Sequence, residues 1–156
     1  MAKPQIDQQV ITKLRAICAG ETDFVTLMAV VAGELFHAVD GFDWVGFYRV
    51  VAPGVLKLGP YQGGHGCLVI PFDKGVCGAA ARQRQTQIVD DVHQFDRHIA
   101  CAVSTQSELV IPVFDEGHNL VAVLDLDSNQ PAFFSELIAA QLETLLAKLF
   151  RRDKQI

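Results

Sequence analysis

The stretch ELVIPVFDEGHNLVAVLDLD, residues 108–127, decides the fold. Two runs rich in β-forming residues, 108–114 and 119–127, flank a polar turn at 115–118. Such runs on either side of a turn are typical of antiparallel strands. Earlier in the chain, glycine-rich or polar loops separate four similar runs, which are 44–51, 55–59, 67–72 and 86–90. The sequence therefore predicts a mainly antiparallel sheet of about six strands.

Helical periodicity appears at both ends of the chain. Apolar residues recur every three or four positions over 6–19, which predicts a first helix. Thr22 or Asp23 is suited to cap a second helix, and Ser135 to cap the last one. A short helix is expected to begin near Gly75. Helices at both ends of a chain with strands between them predict an α+β fold, with the terminal helices on one face of the sheet and ligand-binding loops on the other.

Length and composition favour one folded domain over residues 1–156. Half of the residues are hydrophobic and 20% are charged, so a core can form. The net charge of −5 has the wrong sign for a protein that binds nucleic acid. No apolar run approaches the roughly 20 residues that span a bilayer, and the first ten residues lack the apolar segment of a signal peptide. We expect a cytoplasmic protein that does not enter the membrane.

Two acidic residues end the last predicted strand. Asp125 and Asp127 alternate with leucines, so both carboxyl groups point to one face of the sheet, about 7 Å apart by the usual strand rise. Partial burial of such a pair would raise both pKa values and keep a carboxylic acid protonated near neutral pH. Glu108, at the start of the neighbouring run, can be a third acid there. The alternative is that all three lie in solvent at strand ends.

Trp44, Gly46 and Tyr48 share one face of the first predicted strand. The glycine between two aromatic residues leaves a gap that a small ligand could occupy, and the rings can hold an apolar or cationic group. A pair of core aromatic residues is the alternative interpretation.

The four cysteines are the remaining candidates for reactive residues. Cys18 lies on an apolar helix stripe and is expected to be a buried core residue. Cys77 follows Lys74 at the predicted start of a helix, where a thiolate would be stabilised, so physical reasoning makes it the first candidate nucleophile. Cys101 follows a possible activator, His98, and Cys67 lies in a glycine-rich segment that suits a resolving thiol.

A zinc site is the competing use of these side chains. The nitrogen and sulfur atoms that could form it belong to His65, Cys67, Cys77, His98 and Cys101. Their spacing matches no recognised zinc signature. We therefore predict no metal.

The motifs DWVGFY, LGPYQG, CLVIPFDKGVCG, TQIVDDVHQFDRHIAC, SELVIPV and VLDLDS occur here in the order found in the free methionine-(R)-sulfoxide reductases, which are single-domain GAF proteins. The resemblance covers about 43–134, and the three cysteines keep the family's separations of 10 and 24 residues. Two departures are local: Ala102 stands where the family usually has an acid, and GGHG precedes Cys67.

This resemblance implies a role for each candidate residue. Cys101 would be the nucleophile, in place of Cys77, and Cys67 the resolving thiol that forms a disulfide with it. Cys77 would be an auxiliary thiol. The remaining roles are an aromatic wall of the substrate site at Trp44 and Tyr48, an acidic wall at Glu108, Asp125 and Asp127, and proton donation from Asp127.

The resemblance also implies the partners. Thioredoxin would supply the reducing equivalents, so no bound cofactor is expected, and the chain would form a homodimer. The alternative function is a GAF module that senses a small molecule without chemistry; sensors normally carry an output domain, for which 156 residues leave no room.

Overall fold

The computed structural model describes residues 4–96, 98–99 and 101–151. In chain order its elements are α1 (Gln8–Ile17), α2 (Phe24–Ala38), β1 (Trp44–Ala52), β2 (Val55–Gln62), β3 (Val69–Pro71), α3 (Gly75–Gln83), β4 (Gln87–Val89), a 3-10 helix (Val92–Gln94), β5 (Ser107–Phe114), β6 (Leu120–Ser128) and α4 (Glu136–Phe150). Every helix and strand expected from the sequence is present, although β3 is shorter and β2 longer than expected. None of the helices in these ranges has the length and apolar character needed to cross a membrane.

The six strands form one sheet in the order β3-β2-β1-β6-β5-β4. All neighbouring strands are antiparallel, which confirms the prediction from the sequence. The runs at 108–114 and 119–127 form the adjacent strands β5 and β6, and β1 pairs with the other side of β6. The centre of the sheet is therefore built from the strands that carry the aromatic and acidic candidates.

The larger apolar core lies between the sheet and helices α1, α2 and α4. Alternate residues of the central strands point into it, among them Phe47 of β1 and Leu124 of β6, which are fully buried. Burial of a side chain of this size contributes about 1.5–3 kcal/mol to folding. The terminal helices therefore cover one face of the sheet, as predicted, and leave the opposite face to α3 and the loops.

The helix caps follow the sequence closely. Asp23 caps α2 by accepting a hydrogen bond from the Thr26 amide, and Ser135 caps α4 by accepting one from Ile138. Helix α1 begins two residues later than expected because Asp7 caps it, while Ile6 pairs with a side chain of α4 through its backbone amide and carbonyl.

Helix α3 packs on the open face of the sheet beside β3. Its close approach depends on Gly78, where a Cβ atom would lie 2.8 Å from the carbonyl oxygen of Phe72 and 2.9 Å from that of Pro71. The second apolar cluster of the molecule lies beneath this helix and includes Tyr48 and Val123. Glycine at position 78 thus lets α3 close one side of the candidate site.

Candidate active site

The three acids lie together on the open face of the sheet. Asp127 is paired across the sheet with Glu108 of β5 on one side and with Trp44 of β1 on the other. Glu108, Asp127 and Trp44 therefore lie in one row across the strands. Asp125 is paired with Gly46 and belongs to the next row of the same face. This arrangement confirms the alternation expected from the sequence.

Two of these acids are buried, and the third, Asp127, is partly exposed. Glu108 is 7% exposed and Asp125 is 5% exposed. One oxygen of Asp125, Oδ1, and the Oδ1 atom of Asp127 are buried without a hydrogen-bond partner in the part of the chain that the structure describes. Because an unpaired buried polar atom is costly, such atoms suggest a place for a ligand or water. The interpretation of all three as solvated strand ends is wrong.

Burial raises the pKa of each of the three carboxyl groups. The pKa values of Glu108 and Asp127 lie well above their ordinary range, because burial and the neighbouring Asp125 charge both disfavour ionisation. Burial also raises the pKa of Asp125, to about 6, while hydrogen bonds from Glu108 and Cys77 limit the increase. The site can therefore hold a protonated carboxylic acid near neutral pH, as a proton donor requires.

Cys77 does not have the environment expected of a nucleophile. Its thiol is buried beside Asp125, near the start of α3. Burial and then the charges of Asp125 and Glu108 raise its pKa well above the ordinary value. The prediction of a thiolate stabilised by Lys74 and the helix start is wrong, because desolvation and three nearby acids outweigh those effects.

Cys67 and Cys101, which are 34 positions apart in the sequence, form a disulfide with their Cα atoms 5.2 Å apart. Both cysteines are partly exposed. The zinc grouping considered from the sequence is not formed in this state, because two of its five members are tied in the disulfide and cannot act as thiolate ligands. Cys77 lies instead with Glu108 and Asp125, and atoms of these three come within 4.8 Å of one another.

One small cavity is lined both by cysteines and by the three acids. It has a volume of about 30 Å³. Its polar lining comes from Tyr48, Cys77, His98, Cys101, Thr105, Glu108, Asp125 and Asp127. A space of this size is close to that of one water molecule, so an amino acid can enter only when the loops over the site move apart.

Trp44 and Tyr48 stack on each other with ring centres 5.9 Å apart. Tyr48 lines the cavity, whereas Trp44 packs behind it. The gap predicted at Gly46 does not exist: a Cβ atom there would lie 2.5 Å from both the Trp44 ring and the Cβ atom of Tyr61. Tyr61, paired with Gly46 across the strands, also stacks on Trp44.

Sequence reasoning missed Tyr61 as a neighbour of the site. The signal that could have identified it is a glycine facing an aromatic residue in adjacent strands, since the ring then lies over the glycine. The same reasoning missed the buried Thr105, which lies in an irregular segment without a periodic pattern.

His98 lines the same cavity as Cys101. Burial, followed by the charge of His93, lowers the pKa of His98, so its ring is neutral near neutral pH. Its Nδ1 atom is buried and has no hydrogen-bond partner within the described ranges. A neutral imidazole can accept a proton from a thiol, so activation of Cys101 by His98 stays a prediction.

An antiparallel sheet with helices on one face and a ligand cavity under loops on the other defines the molecule as a GAF domain, and the GAF domain family matches residues 19–149. The chain is 38% identical to the free methionine-R-sulfoxide reductase of Escherichia coli over 139 residues, which is 85% of this chain and 83% of that protein. It therefore belongs to the free methionine-R-sulfoxide reductases of the GAF-domain family.

Solved structures agree with this assignment. The free methionine-R-sulfoxide reductase of Neisseria meningitidis in complex with its substrate is 37% identical, with a TM-score of 0.85 over 96% of this chain and 92% of that one. The reduced form of the enzyme named fRMsr from Staphylococcus aureus is 33% identical, with a TM-score of 0.88 over 96% of this chain and 97% of that one.

Proposed function

We propose that this protein reduces free methionine-(R)-sulfoxide to methionine, with Cys101 as the nucleophile. The observation that carries the proposal is that Cys101 lines the same cavity as the buried acids and is bonded to Cys67. A nucleophilic sulfur, a proton donor and a resolving sulfur are the three groups that this reduction requires. The names of the relatives support the same reaction.

In the first step, the Cys101 thiolate attacks the sulfur atom of the sulfoxide. The sulfoxide oxygen leaves poorly unless it is protonated, and Asp127 supplies the proton because burial keeps its carboxyl group protonated. His98 can take the proton of the Cys101 thiol beforehand. Transfer of the oxygen leaves methionine and a sulfenic acid on Cys101.

In the second step, the Cys67 thiol attacks the sulfenic acid. The Cys67–Cys101 bond forms and water leaves, so the two cysteines together supply the two electrons of the reduction. The disulfide of the structure is the product expected from this step. Cys77 lines the same cavity and is the auxiliary thiol; because burial raises its pKa, its exchange with this disulfide is slow.

The acids and rings also explain how the substrate is held. Asp125 has a pKa of about 6, so near neutral pH it is largely ionised and can pair with the substrate ammonium group, with Glu108 beside it. The ring of Tyr48, with the ring of Trp44 stacked on it, provides the apolar wall for the side chain. A small closed site of this kind favours a free amino acid over a residue within a peptide.

The cellular setting belongs to the same proposal. A dithiol protein, thioredoxin, reopens the disulfide in a reducing compartment, the cytoplasm, and the enzyme uses no bound metal or cofactor. Exposed apolar side chains on the terminal helices, Ile17, Val25 and Leu137, support assembly as a homodimer.

Cysteine variants test the reaction in a single turnover. The fully reduced protein is mixed with one equivalent of free methionine-(R)-sulfoxide, and both methionine and remaining thiols are counted. We expect the wild type to lose two thiols, Cys101→Ser to form no methionine, and Cys67→Ser to form methionine and a sulfenic acid. Cys18→Ser, which changes a buried free cysteine on the other face of the sheet, is the control. Binding without thiol loss would instead favour a sensing module.

A further inference from the structure

We propose that Leu68, Val69 and Val103 form the docking surface for the dithiol protein that reduces this enzyme, and that its thiolate attacks Cys67 rather than Cys101. We call these three residues the disulfide rim. The inference rests on the proposed function. It adds the surface to which the reductant binds and the sulfur atom that the reductant attacks.

The disulfide rim is apolar and open to solvent. Leu68 is 69% exposed, Val69 is 53% exposed and Val103 is 96% exposed. Each lies within two residues of a cysteine of the disulfide, whose Cα atoms are 5.2 Å apart. Chain geometry therefore keeps their Cα atoms within about 20 Å of one another. Large apolar side chains grouped on a surface are typical of a protein interaction site.

Part of this surface is held in a fixed conformation. The Leu58 amide donates a 2.9 Å hydrogen bond to the carbonyl oxygen of Leu68. Val69 is paired with Lys57 at the start of β3, which is an edge strand of the sheet. A partner would therefore lose little entropy in ordering this side of the rim.

The position of the two sulfur-bearing residues favours attack on Cys67. Cys101 lines the cavity and has the buried acids around it, and a cavity of about 30 Å³ cannot admit a thiol carried by a protein. Cys67 does not line this cavity and is followed directly by the exposed Leu68. An approach along the disulfide from solvent thus reaches Cys67 first.

Attack on Cys67 also leaves the right product. A bond forms between the partner's sulfur and Cys67, the Cys67–Cys101 bond breaks, and its electron pair leaves with Cys101 as a thiolate. The partner's second thiolate then attacks the partner's own bonded sulfur and releases Cys67. The partner becomes a disulfide and this enzyme a dithiol, with the nucleophile freed into the site where substrate binds.

A second copy of this chain is a poor occupant of the rim. Exchange needs an exposed thiol on the partner, and the free cysteines of the described residues, Cys18 and Cys77, are both buried. A separate protein with an accessible pair of cysteines in an apolar surrounding fits both the chemistry and the surface.

Trapping identifies the sulfur that is attacked. The oxidised enzyme is mixed with thioredoxin whose second active-site cysteine is replaced by serine, and the mixed disulfide is digested and mapped by mass spectrometry. We expect the linkage at Cys67. Linkage at Cys101 would overturn the assignment.

Rim variants test the surface. We expect Leu68→Asp and Val103→Asp to lower the rate constant for reduction by thioredoxin about tenfold, the effect of losing a central apolar contact. Reduction by dithiothreitol and single-turnover methionine formation should stay unchanged. Ile88→Asp, which changes a 38% exposed isoleucine on β4, at the opposite edge of the sheet from β3, is the matched control. Unchanged reduction by thioredoxin, or an equal loss with dithiothreitol, would refute the surface. Absence of methionine formation in the wild type would refute the proposed function instead.

Discussion

The indole Nε1 of Trp44 donates a 2.8 Å hydrogen bond to the carbonyl oxygen of Gly64, three residues before Cys67. The same loop lies against both rings of the aromatic pair, since a Cβ atom on Gly66 would come within 2.9 Å of the Tyr48 hydroxyl and 3.1 Å of Trp44. The first strand of the sheet thus positions the segment that carries the resolving cysteine.

Loss of this hydrogen bond should slow disulfide formation. In Trp44→Phe the ring remains but the indole donor is gone, so the loop is less well held and Cys67 reaches the sulfenic acid more slowly. We expect the sulfenic acid on Cys101 to accumulate transiently, which trapping with a dione and mass spectrometry would measure. The rate constant for disulfide formation should be about 5- to 10-fold lower than in the wild type. Tyr61→Phe, which keeps the ring that stacks on Trp44, should behave as the wild type. Equal resolution rates in both variants would contradict this role.

Proton donation by Asp127 predicts a pH dependence. Burial, followed by the charge of Asp125, raises the pKa of Asp127 well above the ordinary value, so its carboxyl group keeps its proton to higher pH than an ordinary aspartate does. Methionine formation should therefore fall at alkaline pH, although the thiolate fraction of Cys101 increases there.

Asp127→Asn removes the acid. We expect single-turnover rates to fall about 10²- to 10⁴-fold and the alkaline decline to disappear. Glu116→Gln, at an exposed acid in the turn between β5 and β6, should change neither property. A loss of less than twofold in Asp127→Asn would show that another group donates the proton.

The buried acids should also make stability depend on pH in an unusual direction. The pKa of Asp125 is raised in the folded state from 3.8 to about 6, so the folded protein binds this proton more tightly than the unfolded chain. Its contribution is complete below the unfolded value and is lost as pH rises through about 6. We expect the free energy of unfolding of the disulfide-linked form, measured in urea, to fall between pH 4.5 and 7.5 by about 1–3 kcal/mol from this group.

Two variants separate this effect from other titrations. Asp125→Asn should make the decline shallower, because one of the buried ionisable groups is absent; Glu108 and Asp127, whose pKa values burial also raises, keep the rest of the decline. Asp115→Asn changes an acid whose pKa is lowered by hydrogen bonds from Asn119, so its effect should appear only at more acidic pH. A decline that is as steep in Asp125→Asn as in the wild type would contradict the assignment.

A pair of glycine variants tests the packing of α3. In Gly78→Ala the new methyl group would meet backbone oxygen atoms that cannot move aside, so we expect a loss of about 1–3 kcal/mol in unfolding free energy and slower turnover. In Gly33→Ala, within α2, nothing lies within 4 Å of the new atom, and we expect a gain of about 0.5–1 kcal/mol. Urea unfolding measures the change in unfolding free energy in both variants. Similar changes in the two would show that the close approach of α3 to the Pro71 and Phe72 carbonyl groups does not limit the side chain at position 78.

Local patterns were sufficient to predict the fold and the acidic face. Alternation alone placed Asp125 and Asp127 on one side of β6, and cap chemistry located the start of α4 at Ser135 and that of α2 at Thr22 or Asp23, of which the structure has Asp23. These features depend on nearest neighbours along the chain, which a single sequence contains.

The protonation state of Cys77 and the space at Gly46 could not be predicted in this way. Both depend on groups distant in sequence: Asp125 and Glu108 surround the thiol, and Tyr61 fills the space over the glycine. The expectation that a helix start lowers the pKa of a cysteine holds for partly exposed thiols. Cys77 is only 3% exposed, because α3 packs it against the sheet.

The bond between Cys67 and Cys101 closes a covalent ring around β3, α3 and β4, while β1, β5 and β6 lie outside it. Cross-linking 34 residues removes unfolded-chain entropy worth about 3–4 kcal/mol in the simplest treatment. Each reduction of the disulfide therefore lowers the free energy of unfolding, and each turnover with the oxidised amino acid raises it again. The thermal unfolding curve of a sample would accordingly report the fraction of molecules in which this disulfide is reduced.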